Sequence, residues 1–293
     1  MKILLLGKEG QVGSKLRRFL LPLGSLKAIG RKDLCLENTQ ELQQLLMEYR
    51  PNLIVNAAAY TAVDAAESDA QRAFIINEFV VGILADYAKR ENAMLVHYST
   101  DYVFDGEKEE AYIETDNTHP LSVYGSSKLA GEQALVQSGC RYLNFRTSWV
   151  FSATGRNFIN TILNLAKDKE SLRIVSDQYG APTSAELIAW VTVLAISHWQ
   201  KGLMEDGTYH LTAFGRISWY DLACFVIERA LAKNIQLKIS TDKIYPVCSK
   251  EYPLPTQRPK NSVLNTTKLS DALGLYLPEW SILVAQEFSL NIM

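Results

Sequence analysis

The sequence has few cysteines, no long apolar run and almost no net charge, and each shortage removes a class of protein. Cys35, Cys140, Cys224 and Cys248 are scattered, without CxxC spacing or partnered histidines. That argues against a zinc centre and a disulfide framework, and for a reduced, intracellular protein. No apolar run approaches the ~20 residues that cross a bilayer, and the opening Ile3 to Leu6 is too short for a secretory signal. A net charge of -2, with no basic stripe interleaved with aromatics, leaves nucleic-acid binding unsupported. Repeats, low-complexity tracts and linker-like composition are likewise absent. What remains is a chain of 293 residues, 47% hydrophobic and 21% charged, enough for a large α/β domain with a smaller lobe.

The N-terminal end carries a strand, a turn and a helix. Ile3 to Leu6 reads as a buried parallel strand, Gly7, Gly10 and Gly13 follow in the pattern GxxGxxG, and Val12 to Leu21 is amphipathic. In that context the glycines serve a tight turn, close approach of a pyrophosphate and packing of helix on strand, while the helix N-terminus offers free N–H groups to phosphate. A second strand, Leu26 to Ile29, ends at Gly30, Arg31 and Lys32, where an NAD-preferring site usually has an acid for the ribose 2′-hydroxyl. No acid is expected at that strand end, and Arg31 with Lys32 suits a 2′-phosphate, so NADPH is favoured with NADH as the alternative.

Further strands follow at Leu53 to Ala59, where small residues leave room for a flat ligand, and at Met94 to Tyr98, which runs into Ser99, Thr100 and Asp101. Ligands of open parallel sheets bind beyond the carboxyl ends of the strands, so Thr100 faces the same crevice as the glycine loop. A helix over Leu121 to Leu135 carries Tyr124 and Lys128, four apart and so on one face. A phenol beside an ammonium is a tunable proton donor, because the cation favours the phenolate. A lone YxxxK is more often an ordinary helix pair; strand-end hydroxyls and a glycine turn in one chain make it a carbonyl-reducing set.

Past Phe151 the alternation of strand and helix loosens, and Pro246, Pro253, Pro255 and Pro259 mark a long irregular segment around Arg258 and Asn261. The expected fold is α/β, a Rossmann-type doubly wound parallel sheet with a smaller C-terminal substrate-binding lobe. Residues 1–150 would bind NAD(P), and residues 151–293 would form mainly the substrate lobe, interleaved with the last elements of the sheet.

Taken together, GKEGQVG at Gly7 to Gly13, VNAAA at Val55 to Ala59, HYSTDYVF at His97 to Phe104, YGSSKLAGE at Tyr124 to Glu132, RTSWV at Arg146 to Val150, Asp177 to Thr183 and RPKNS at Arg258 to Ser262 are similar to an extended short-chain dehydrogenase/reductase. Over nearly the whole chain they closely resemble the dTDP-4-dehydrorhamnose reductase family. The resemblance implies NAD(P)H-dependent reduction of the 4-keto group of dTDP-4-dehydro-L-rhamnose, the last step of dTDP-L-rhamnose synthesis, in the cytoplasm.

It further implies Tyr124 as proton donor, Lys128 at the nicotinamide ribose lowering the Tyr124 pKa, and Thr100 polarising the ketone. Gly10, Gln11, Val12, Ala59, Tyr60 and Thr61 are implied at the cofactor, and Thr100, Asp101 and Trp149 at the sugar nucleotide. Arg258 is added on chemical grounds, as a fork-shaped cation for a diphosphate. Two departures stand out. Gly30 replaces an acid common in relatives, and Ser14 and Lys15 stand where some relatives hold the acids of a magnesium-bridged dimer; magnesium is therefore unsupported, and the chain is expected as a monomer or homodimer. Two other readings share these motifs: a reductase or epimerase of another nucleotide sugar, and a catalytically silent NADP-binding regulatory subunit. The intact Thr100, Tyr124 and Lys128 set argues against the second.

Overall fold

The computed structural model describes residues 1–252 and 255–290. In chain order its first half runs β1 (Lys2–Leu6), α1 (Gln11–Phe19), β2 (Ser25–Ile29), α2 (Thr39–Tyr49), β3 (Leu53–Asn56), α3 (Val63–Ala66), α4 (Ala70–Phe74), α5 (Val80–Arg90), β4 (Met94–Thr100), α6 (Val123–Ser138) and β5 (Arg141–Thr147). The second half adds β6 (Val150–Phe151), α7 (Phe158–Asp168), β7 (Leu172–Val175), β8 (Tyr179–Gly180), β9 (Thr183–Ser184), α8 (Ala185–Gln200), β10 (Gly207–His210), β11 (Ile217–Ser218), α9 (Trp219–Ala232), β12 (Ile244–Val247), α10 (Thr267–Leu273) and α11 (Trp280–Leu290).

Six strands form one parallel sheet in the order β10-β5-β4-β3-β1-β2. Strands β3 and β4 are buried along their whole length, as their near-continuous apolar runs require of a sheet covered on both faces. The chain leaves β1 outward to β2 and then returns across β1 to β3, so the order reverses between β1 and β3. A crevice opens there beyond the carboxyl ends of the strands.

The sequence sets the helix ends locally. Asn38 caps α2, Ser122 caps α6, Ser184 caps α8 and Ser218 caps α9, each accepting from a backbone N–H three residues on. Gly139, at φ +62°, ends α6 in the left-handed conformation. Between α4 and α5 the helical path is interrupted by a π turn at Ile75–Phe79. At its centre lies the buried Asn77, whose side chain bonds the Tyr60 backbone in both directions and donates to the Ser127 hydroxyl at 2.9 Å on α6.

Strand β5 stops at Thr147, and Trp149 just beyond it turns at φ +46°. The proline-marked segment contains a strand after all: β12 pairs in parallel with β7 and includes Pro246. Pro253 lies outside the described residues. One apolar core runs through both halves, joining Leu5 and Val55 to Ile188, Val226 and Val284.

Candidate active site

Gly7 ends β1 at φ +84°, and a β-carbon there would overlap the backbone of Ala57 and Ala58. A β-carbon on Gly13 would overlap the Gly7 carbonyl, so this glycine is what lets α1 sit directly on the loop. No acid stands in the first turn of α1, which leaves its free N–H groups suited to phosphate. Gln11 is fixed from the other half of the chain: its Oε1 accepts from Ser152 Oγ and Asn157 Nδ2, both at 3.0 Å, and its Nε2 donates to the Val150 carbonyl at 3.3 Å.

The opposite wall is built by the end of β4 and the first turns of α6. Thr100 Oγ1 donates to Asp101 Oδ1 at 2.9 Å and accepts from the Tyr102 N–H. Burial pushes the Tyr124 phenol up to about 12; the Thr100 hydroxyl pulls it down and the Asp101 charge pushes it up. Burial also raises the Asp101 carboxyl to about 6, against the hydroxyls of Ser262 and Thr100. Lys128 is 1% exposed, and burial lowers its ammonium to about 8, with Glu132 opposing.

Lys128, expected to lower the Tyr124 pKa, has another partner here. The groups that act on the phenol are its burial, Thr100 and Asp101, and the ammonium instead lies 3.1 Å from His97 Nε2. His97 is buried and held neutral, well below its ordinary pKa, by desolvation and then by the Lys128 charge. Its Nδ1 meets the Asn56 amide at 3.2 Å, so β3 and β4 together hold the imidazole that holds the lysine.

These two walls enclose a cavity of about 1010 Å³, at the top of the ~300–1,000 Å³ range of ligand pockets. Among the expected residues, Gly7, Gly10, Gln11 and Val12 line it from the loop, and Arg31, Ala59, Thr61, Thr100 and Asp101 from the strand ends. Tyr124 and Lys128 line it from α6, and Trp149 and Arg258 from the second half. Gly13 and Tyr60 do not line it. Gly13 serves packing, as above, and the Tyr60 hydroxyl turns away to the Asp69 carboxylate at 3.2 Å.

Arg258 reaches the cavity but is partly committed, since its Nη2 pairs with Asp64 Oδ2 at 3.2 Å. Its Nε is buried without a partner. Trp219, which sequence reasoning passed over, stacks on Trp149 with ring centroids 3.3 Å apart and planes within 6°. Seventy residues separate the two, and no local spacing announces the pair. Glu9 was also missed, because inside the glycine loop it reads as a solvated acid. Among the described residues, no three His, Cys, Asp or Glu side chains come together as a metal site. Lys15 pairs with Glu186 of α8 at 3.2 Å.

Residues 1–289 match the family model described as the RmlD substrate binding domain. The chain belongs to this family. Among RmlD relatives it is 46% identical over 286 residues to the dTDP-4-dehydrorhamnose reductase of Escherichia coli K12, covering 96% of this chain and 95% of that one. The crystal structure of a Clostridium acetobutylicum dTDP-4-dehydrorhamnose reductase is 34% identical and superposes with a TM-score of 0.92 over the full length of both chains. A Bacillus anthracis dTDP-4-dehydrorhamnose reductase solved in complex with NADP is 32% identical, with a TM-score of 0.89 over 99% of each chain.

A nicotinamide dinucleotide fits the RmlD-type site of this chain on its own geometry. The bare glycine backbone at Gly7 and Gly10, the uncapped start of α1 and the β1/β3 switch point converge on one end of the cavity. No helix among the described residues is long and apolar enough to cross a membrane.

Proposed function

We propose that this chain is an NADPH-dependent oxidoreductase that reduces the 4-keto group of dTDP-4-dehydro-L-rhamnose to give dTDP-L-rhamnose, the last step of dTDP-rhamnose biosynthesis. The observation that carries the reading is a proton-donating wall of Thr100, Tyr124 and Lys128 facing a dinucleotide loop across one cavity, in a chain of this family. When bound, the reduced nicotinamide supplies the hydride that the chain itself does not.

The protein's own part is alignment and proton management. Tyr124, protonated at any physiological pH with its pKa near 12, stands ready to give its proton to the ketone oxygen as charge grows there. Thr100 sits beside it, and its single hydroxyl proton, given to Asp101 Oδ1 in this structure, turns to the same oxygen as a second hydrogen bond when the ketone is in place, so the developing charge meets protein donors rather than water. Lys128, on the same helix face as Tyr124, would hold the ribose hydroxyls of the bound dinucleotide, and its charge would lower the cost of the phenolate. Gly10, Gln11, Val12, Ala59 and Thr61 position the dinucleotide, and Asp101, Trp149 and Arg258 the sugar nucleotide. We assign the cofactor side to residues 1–150 and mainly the substrate side to residues 151–293.

The test is oxidation of NADPH on addition of enzymatically generated dTDP-4-dehydro-L-rhamnose, with identification of the product sugar. Appearance of dTDP-L-rhamnose is the expected result. Oxidation with a different 4-keto nucleotide sugar and none with this one would overturn the substrate assignment.

A further inference from the structure

The end of β2 holds more negative charge than its sequence announces. Gly30 closes the strand, and a β-carbon built on it would overlap both carboxylate oxygens and the carboxyl carbon of Glu9. The Glu9 side chain therefore reaches back from the glycine loop and lies across the face of Gly30, and both residues line the cavity with Arg31 and Lys32. A second acid, Asp33, also returns to Gly30, accepting its N–H at 2.8 Å. That carboxylate is taken up by Lys8 at 2.5 Å and does not line the cavity. Glu9 makes no ion pair with another described residue, and neither Arg31 nor Lys32 does.

We infer that Glu9 is a specificity-determining residue for the adenosine ribose, a carboxylate supplied by the glycine loop in the place where other dinucleotide sites use the residue ending the second strand. The missing side chain at Gly30 is what admits it: any larger residue would occupy the space the Glu9 carboxylate fills. The consequence is a balanced site. The carboxylate accepts from a ribose 2′-hydroxyl, whereas a 2′-phosphate brings like charge against it and is attracted only by Arg31 and Lys32. The expected character is use of both NADH and NADPH, and Glu9 is the group that holds NADPH back.

This inference rests on the dinucleotide reading of the cavity, and its test separates the two. Binding of ADP-ribose and of 2′-phospho-ADP-ribose is measured by titration calorimetry, which needs no turnover, on the wild type, Glu9→Gln and the double variant Glu9→Gly/Gly30→Asp. Glu9 is exposed, so Glu9→Gln leaves the fold untouched. For Glu9→Gln the expected change is a rise of about ten-fold in the preference for the 2′-phosphate, the size expected when one like charge is removed beside it. The double variant restores an acid from the strand itself and is expected to return the preference towards the 2′-hydroxyl. A preference unchanged within two-fold in Glu9→Gln would overturn the role of Glu9 and leave the cofactor site standing. Failure of the wild type to bind either ligand would overturn the cofactor site, and this inference with it.

Discussion

At the scale of single residues, the site separates a proton donor from a cation, and each has its own signature. Tyr124→Phe keeps the ring and its edge-on contact with Tyr102, at 5.9 Å between centroids, and deletes only the acid. Turnover is expected to fall by ~10²–10⁴ while NADPH affinity is kept, as checked by steady-state rates beside calorimetry. Near-normal turnover would remove Tyr124 from its role.

Lys128 gives the pH dependence. Its pKa is depressed to about 8, so the ammonium is present below that value and lost above it. Since kcat/KM reports the free enzyme, it is expected to decline as pH rises through about 8. A profile flat well beyond that point would exclude the lysine charge from the reaction. For stability the sign is the reverse. Between about 8 and the ordinary 10.5 the unfolded chain holds more protons than the folded one, so this group favours folding increasingly as pH rises through that window.

At the scale of elements, the position of α6 decides whether Tyr124 and Lys128 reach the cavity, and the π turn before α5 helps to set it. Asn77 bonds the Ser127 hydroxyl between those two residues, and Ser127 in turn donates to the Tyr124 carbonyl at 2.8 Å. Gly131 is in direct contact with the Asn77 carbonyl, so that the two helices touch backbone to backbone. Asn77→Ala strands the Tyr60 N–H and carbonyl in a part-buried position. It is expected to cost roughly 2–4 kcal/mol in a urea titration, and to lower turnover more than a surface substitution of equal cost in stability. The second anchor of α6 is Glu132, paired in two-pronged fashion with Arg146 of β5 at 2.7 Å, both side chains 7% exposed. A pair so buried ties helix to sheet in one register, because breaking it would leave an uncompensated charge in the core.

At the scale of the whole molecule, the assignment of cofactor to the first half and sugar nucleotide to the second does not divide the fold in two. Strand β10 is hydrogen-bonded to β5 in the main sheet, and Arg18 and Lys15 of α1 pair with Glu186 of α8. All five tryptophans lie at residue 149 or beyond, so their fluorescence follows the second half, whereas far-UV circular dichroism follows the whole chain. With the largest apolar cluster spanning both halves, the two signals are expected to change in a single coincident urea transition. Separate midpoints would show that the halves fold independently.

Sequence alone determined what depends on neighbours within a few positions. The glycine turn, the facing of Tyr124 and Lys128 and the strand from Met94 that runs into Ser99 and Thr100 all follow from 3.6- and 2-residue periodicities and backbone rules that act locally. Tertiary structure decided which distant groups meet: Lys128 on His97 rather than on the phenol, Trp219 against Trp149, Arg258 held by Asp64, and Glu9 folded over Gly30. Those contacts join residues 21 to 194 positions apart, and their existence depends on the crossover that carries β2 to the outside of β1 and on the turn at Trp149. Neither is written in any local spacing, because a side chain's partner across a crevice is set by where whole strands and helices come to rest.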